Sequence, residues 1–235
     1  MSERWEDPKI FKINKEDGHV ISMPYDSPEK AALGEESEYK LLLNGEWKFY
    51  WQLGFDQGLP EGFYKDDFDC EGWGDITVPS LWQLKGYGVP VYYASTFPRA
   101  VCRRKNKIPT IDHTCQEVGI YRRDFTLPQN FDGREIFLHF GACKSALEVY
   151  INGEFVGYSQ GSMTPHEFDV TRFLREGKNN VTAVVYRYSD ATYLEGQDMW
   201  NMSGIYRDVY LYAEPSVCIR AVSYTHLTLP TTSRV

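Results

Sequence analysis

An Asn-Gly pair set between two apolar runs constrains this chain more than any other local feature. Ser145-Ala-Leu-Glu-Val-Tyr-Ile151 is followed by Asn152-Gly153 and then by Glu154-Phe-Val-Gly-Tyr158. Both central residues of a tight type I′ turn need positive φ, which asparagine and glycine tolerate, so the pair predicts a two-residue β-hairpin. Comparable short runs recur from Leu41 onward. Gly119–Thr126, Arg134–Gly141, Val181–Tyr188 and Ile205–Ala213 read as strands. Val181-Thr-Ala-Val-Val-Tyr186 is apolar on both faces, which predicts a central strand, with Glu176-Gly-Lys-Asn-Asn180 as the turn before it. Aromatic residues make up 15% of the chain, and they favour strands over helices.

The chain shows no long helix-period stretch, no alternation of strands with helices and no internal repeat. The expected fold is all-β, an antiparallel jelly-roll β-sandwich spanning residues 39–215. Residues 1–38 hold Pro8, Pro24 and Pro28 among many charges. They predict an irregular arm laid over the domain, with one short helical turn at Pro28-Glu-Lys-Ala-Ala.

Charge excludes one class of partner. With 25 basic and 33 acidic residues the net charge is −8, and binding to nucleic acid needs a basic face. The one basic cluster, Arg103-Arg104-Lys105-Asn106-Lys107, reads as a solvated loop. No apolar run approaches the about 18 residues of a membrane span, so no membrane partner is expected. The charged start, Met1-Ser-Glu-Arg-Trp-Glu-Asp, is no secretory signal. Five cysteines (Cys70, Cys102, Cys115, Cys143, Cys218) with no CxxC spacing argue against a disulfide framework and a zinc site. The expected compartment is the cytoplasm.

Acidic pairs are abundant, and Asp66-Asp67 in a polar loop reads as surface charge. Of the histidines, His19, His113, His139, His166 and His226, none stands in a defensible Ser/His/Asp spacing. His139 alternates with Leu138 and Phe140, which predicts the outer face of a sheet. The densest unusual stretch runs from Tyr188 to Val209 and gathers Asp190, Tyr193, Glu195, Asp198, Trp200, Arg207 and Asp208 between two strands. Carboxylates beside aromatic rings suit sugar recognition, since rings cover apolar sugar faces and acids accept hydroxyl hydrogen bonds. The same residues also fit a structural loop in which an Arg207–Asp208 pair and Trp200 hold the sandwich shut.

The segment Tyr193-Leu-Glu-Gly-Gln-Asp-Met-Trp-Asn-Met-Ser-Gly-Ile-Tyr-Arg-Asp-Val209 resembles the end of the N-terminal sugar-binding domain of glycoside hydrolase family 2, most closely its large β-galactosidases. Other segments agree in order. They are Trp5-Glu-Asp-Pro8, Leu43-Asn-Gly-Glu-Trp-Lys-Phe49 and Val78-Pro-Ser-Leu-Trp-Gln83 with Gly86-Tyr87 and Pro90-Val-Tyr92. Further along come Gly119-Ile-Tyr-Arg-Arg-Asp-Phe125, Val149-Tyr-Ile-Asn-Gly153 with Val156-Gly-Tyr158, and Glu167-Phe-Asp169 with Leu174 and Gly177. The likeness covers residues 4–215.

The resemblance implies a galactose-binding-like jelly roll and a parent that hydrolyses terminal β-D-galactosides with retention. It puts Asp198 beside the galactosyl 6-hydroxyl and on a sodium ion. It implies a structural magnesium at Asp7, Ile10 (through its carbonyl), Gln160 and Asp190, although Arg4 stands where β-galactosidases can carry an acid. Ala94 stands where the family often has a sugar-contacting Asn, so that side-chain contact is lost. The family's two catalytic Glu residues lie on a later (β/α)₈ barrel, which takes about 250 residues by itself. The expectation is therefore an N-terminal fragment, inactive alone, with no catalytic residue in this chain and Na⁺ and Mg²⁺ held only loosely. Its expected partners are a β-galactoside, the absent Ig-like and barrel domains, and copies of an oligomeric parent. Residues 216–222 read as the start of a truncated Ig-like β domain, and 223–235 as a non-native tail resembling translated sequencing adapter. Two alternatives stay open: a stand-alone carbohydrate-binding module, and the corresponding part of a β-glucuronidase or β-mannosidase.

Overall fold

The computed structural model describes residues 3–92 and 108–219. In chain order the described strands are β1 (Lys12–Ile13), β2 (Lys40–Leu42), β3 (Gly45–Leu53), β4 (Gly74–Val78), β5 (Glu117–Thr126), β6 (Glu135–Phe140), β7 (Cys143–Lys144), β8 (Ala146–Ile151), β9 (Glu154–Gln160), β10 (His166–Asp169), β11 (Lys178–Tyr186), β12 (Gly204–Ile205) and β13 (Val209–Glu214). The one described α-helix, α1 (Pro28–Leu33), is a short turn of the arm. Ser27 caps it by accepting a hydrogen bond from Lys30 N at 3.3 Å.

The strands form a jelly-roll sandwich, antiparallel throughout. One sheet has seven strands in the order β1-β9-β8-β11-β5-β3-β4, and the facing sheet has four, β10-β6-β13-β2. The Asn-Gly hairpin forms as the sequence predicts, with Asn152 at φ 50° and Gly153 at φ 84° joining β8 to β9. β11 lies at the centre of the larger sheet between β8 and β5, as its two apolar faces require. Between the sheets lies the main core, which includes Trp47, Phe49, Trp82, Phe140, Val149 and Leu211.

The arm is less irregular than its composition suggests. β1 pairs with β9 through Lys12–Ser159 and Ile13–Tyr158, so the arm supplies an edge strand of the larger sheet. That approach needs Gly157: a Cβ there would stand 2.4 Å from the Ile13 carbonyl oxygen. Trp5 is fully buried in a second core on the outer face of this sheet, with Phe63, Val118, Tyr158 and Tyr186.

Other expectations are refined. The run Ile205–Ala213 is two strands, because Gly204–Ile205 pairs with Cys143–Lys144 while Val209 onward joins the smaller sheet. Strand periodicity does not report a change of partner. β11 already begins at Lys178, opposite Thr126, inside the stretch read as a turn. His139 does lie on the outer face of its sheet, but the arm covers it and leaves it 4% exposed. Among the described cysteines, Cys70 and Cys143 are free thiols and Cys115 is disulfide-bonded, which neither count nor spacing suggested. Residues 216–219 carry no strand, and the stretch 220–235, with its expected tail and His226, lies outside the described residues. No described helix is long and apolar enough to cross a membrane.

Candidate functional site

The unusual stretch from Tyr188 leaves β11 at one end of the sandwich, and a buried arginine fixes its course. Arg187 is 3% exposed, and its Nη1 donates to Glu117 Oε1. Its Nη2 donates to the Val89 carbonyl at 2.8 Å and to the Asn201 carbonyl at 3.4 Å. One guanidinium therefore ties β5, the 86–92 loop and the 198–203 loop together. Burial raises the Glu117 carboxyl above its usual range, and Arg187 only partly offsets this. Gln116 adds a second clamp, donating to the Tyr188 carbonyl at 2.8 Å and accepting from Tyr188 N at 3.0 Å.

The 198–203 loop is pinned on both edges. Asn201 N donates to the Val91 carbonyl at 2.6 Å, and Ser203 N donates to Gln83 Oε1 at 2.8 Å. Trp82 N donates to the Ser203 carbonyl at 2.9 Å. Between these supports lies a cavity of about 450 Å³ whose lining includes Tyr92, Lys144, Asp198, Trp200, Met202 and Tyr206. Asp198 accepts a hydrogen bond from Tyr92 Oη, which pushes the phenol's pKa up. Trp200 is 58% exposed, and its ring centroid lies 5.6 Å from that of Tyr92. Lys144 Nζ donates to Asn201 Oδ1 at 3.2 Å, and burial pushes its ammonium pKa down. A carboxylate and two aromatic rings in one accessible pocket can accept sugar hydroxyls and cover an apolar sugar face.

The purely structural account of this loop does not hold as framed. Arg207 Nη1 donates to the Met163 carbonyl at 3.3 Å, while Asp208 accepts from Asn44 Nδ2 at 2.8 Å. Trp200 faces solvent and holds no core together. The closure belongs to Arg187, Glu117 and Gln116, which sequence reasoning missed. The available signal was a charged residue ending an otherwise apolar central strand.

The four residues matched to a magnesium site are brought together. Gln160 Nε2 donates to Asp190 Oδ1 at 2.6 Å, and Ile10 N donates to the Asp7 carbonyl at 2.8 Å. Asp190 is raised above its usual range, chiefly by burial, and the Asp7 carboxylate adds to the shift. The contacts here run through the Gln160 amide nitrogen and the Ile10 N–H, and a hard cation would need their oxygens with the Asp7 and Asp190 carboxylates instead. Arg4 is engaged elsewhere, bound to Glu148 at 3.0 Å and lying 4.5 Å over the Phe155 ring. No group of three or more His, Cys, Asp or Glu among the described residues could hold a metal. Any ion here relies on the amide and carbonyl oxygens. At the sugar pocket, Asp198 is the only acid among the described residues of the lining, so a sodium ion needs further ligands beside it. Ala94 lies outside the described residues. Asp66 and Asp67 are exposed as expected, with Asp66 paired to Arg175 at 2.6 Å.

The chain matches the family described as Glycosyl hydrolases family 2, sugar binding domain, over residues 41–215. A β-galactosidase of Priestia megaterium is 43% identical over 214 residues, covering 90% of this chain and 20% of that protein. A β-galactosidase of Halalkalibacterium halodurans is 38% identical over 211 residues, 90% of this chain and 21% of that protein. The chain thus spans about a fifth of the length of the curated relatives it matches. Among solved structures, a β-glucuronidase of Bacteroides uniformis superposes with a TM-score of 0.55 at 26% identity, covering 75% of this chain and 18% of that one.

Proposed function

Because the chain belongs to glycosyl hydrolase family 2, whose sugar-binding domain it carries, we propose that it is the sugar-contacting N-terminal part of a β-galactosidase. The parent enzyme hydrolyses terminal non-reducing β-D-galactose with retention. The observation that carries this reading is the Asp198 carboxylate beside Tyr92 and Trp200 in an accessible pocket. Asp198 accepts a galactosyl hydroxyl, and the rings cover the sugar's apolar face. The general acid and the nucleophile, about 5 Å apart in a retaining glycosidase, come from other domains, so this chain alone turns over no galactoside. Those domains, an Ig-like unit and a barrel, are its proposed intramolecular partners, and the parent assembles as a homo-oligomer. The proposed compartment is the cytoplasm, which the thiols at Cys70 and Cys143 favour and the disulfide at Cys115 opposes.

A β-glucuronidase is the second reading, favoured by the structural likeness. Asp198 argues against it, because a uronate carboxylate there meets a like charge. Grafting residues 1–219 onto the remainder of the Priestia megaterium β-galactosidase tests both readings. The chimera is expected to cleave nitrophenyl β-galactoside and not the β-glucuronide. Asp198→Asn is expected to lower its kcat/KM about tenfold to a hundredfold, the loss of one charge-assisted hydrogen bond. Preference for the glucuronide, or an unchanged kcat/KM, would overturn the assignment.

For magnesium we propose Asp7, Gln160, Asp190 and the Ile10 carbonyl as ligands. A bound ion supplies a cross-link between arm and sandwich and takes no chemical step. Asp190→Asn is expected to weaken Mg²⁺ binding at least about tenfold by calorimetry, since even outer-shell changes cost about 10–100-fold. Equal affinity in the variant would remove Asp190 from the ligand set.

A further inference from the structure

The arm crosses β10 through a carboxylate shared by two imidazoles. Glu167 Oε1 lies 3.2 Å from His19 Nε2 of the arm, and Glu167 Oε2 lies 3.0 Å from His139 Nδ1 of β6. All three side chains are largely buried, beside a cavity of about 520 Å³ under the arm whose lining includes Lys15, Asp17, His19 and Glu167.

The hydrogen-bond geometry fixes the protons on His19. Its Nδ1 lies 2.8 Å from the Asp17 carbonyl oxygen, which can only accept, so Nδ1 carries a hydrogen. Its Nε2 faces an oxygen of Glu167. Burial acts to raise that carboxyl, but bonds from His139 and Tyr212 and the neighbouring imidazoles outweigh it and leave it below its usual range. It is therefore an ionised acceptor at neutral pH, and Nε2 must carry a hydrogen too. A neutral imidazole has one N–H, so this arrangement demands the imidazolium. His139 differs, because one N–H at Nδ1 satisfies its contact in the neutral form.

We propose that His19 and Glu167 form a proton-operated clasp that holds arm residues 17–23 against the smaller sheet and opens as His19 loses its proton. The doubly bonded ring requires the charged form, so the contact is favoured at lower pH and weakens as pH rises. Deprotonation removes the ring's charge and leaves one N–H for two acceptors, so either the Glu167 or the Asp17 contact is lost and the clasp weakens. The segment beyond the clasp covers an aromatic patch, with Met23 packed on Phe137, Tyr210 and Tyr212. Opening exposes that patch.

Other charged groups surround the clasp. On the arm, Lys15 is pushed down mainly by burial, Glu16 N donates to the Glu167 carbonyl at 2.9 Å, and Asp17 is paired with Lys12. On β10, His166 is buried against Ser159 and pushed down to about 3, so it stays neutral across the range. Tyr210 and Tyr212 flank from β13, and Lys40 of β2 lies 4.6 Å over the Tyr210 ring. His139 is the other imidazole on the carboxylate and serves as the control. The clasp is independent of the sugar pocket and does not rest on the galactosidase reading.

Hydrogen exchange of the 17–23 amides, corrected for the intrinsic pH dependence of exchange, tests it on the full chain. Protection in the wild type is expected to fall about tenfold or more between pH 5.5 and 8. His19→Gln is expected to be flat, because a glutamine amide donates to Glu167 at every pH, while His139→Gln keeps the fall. A flat wild-type profile, or a fall that survives in His19→Gln, would overturn the clasp. Nitrogen-15 spectra of the wild-type ring need no variant. Both His19 nitrogens must be protonated wherever the arm is protected, and a neutral ring in the protected arm would sink the proposal.

Discussion

Replacing Arg187 with leucine is expected to cost about 3–5 kcal/mol of folding stability, the penalty for stranding one partner of a buried ion pair. For a chain of this length that lowers the melting temperature by about 10 °C. Glu117 would be left buried without its cation, and the Val89 and Asn201 carbonyls would lose their donor. The pH dependence has a definite sign. Burial already raises Glu117, and removing Arg187 raises it further, so the folded variant binds a proton more readily than the unfolded chain. Stability lost at pH 7 is therefore partly recovered as pH falls toward 4. Urea titrations of both proteins at pH 4.5 and 7 check this. A deficit that grows on acidification would contradict the account. The double variant Arg187→Leu/Glu117→Leu should recover much of the loss, since it removes both charges.

Trp82→Ala is expected to cost about 3–5 kcal/mol, the usual range for emptying a buried tryptophan site. Trp82 is fully buried between the sheets, and its ring lies so close to β5 that a Cβ at Gly119 would stand 2.5 Å from it. Phe49 packs beside it over the same glycine, with ring centroids 6.3 Å apart. The effect also reaches the pocket, because the Trp82 backbone holds the Ser203 carbonyl and Gln83 holds Ser203 N. Exchange of the 199–203 amides should accelerate in the variant while the hairpin β8–β9, on the far side of β11, stays protected. Uniform acceleration across both would mean simple global destabilisation and no specific support of the loop.

Both residues bear on how function sits in this fold. Asp198 and Trp200 occupy a loop with little core of its own, and its position comes from neighbours distant in sequence. The buried pair at Glu117 and Arg187 stabilises the chain less than apolar side chains of equal volume would. Its use is geometric: a planar guanidinium can hold two carbonyls and a carboxylate at once.

By itself the sequence determined the all-β class, the Asn-Gly hairpin, the central place of β11 and the short turn at Pro28. Each follows from local physics, either positive φ at a turn or apolar residues with a strand's spacing. The pocket acid was legible as one of several carboxylates beside aromatic rings between Tyr188 and Val209, and resemblance singled it out; only resemblance grouped Asp7, Gln160 and Asp190, since spacing alone did not relate Asp7 and Asp190, 183 positions apart. Tertiary structure decided the rest. Gly157 admits the arm as an edge strand because its missing Cβ lets the Ile13 carbonyl approach. The split at Ile205 arises where the chain changes sheets, which no alternation pattern encodes. Arg187 reads from sequence as one charge after a strand, and its role exists only where the Val89, Asn201 and Glu117 oxygens converge. His19 lies in an arm without periodicity, and its proton is fixed by two acceptors that only the folded chain sets against one ring.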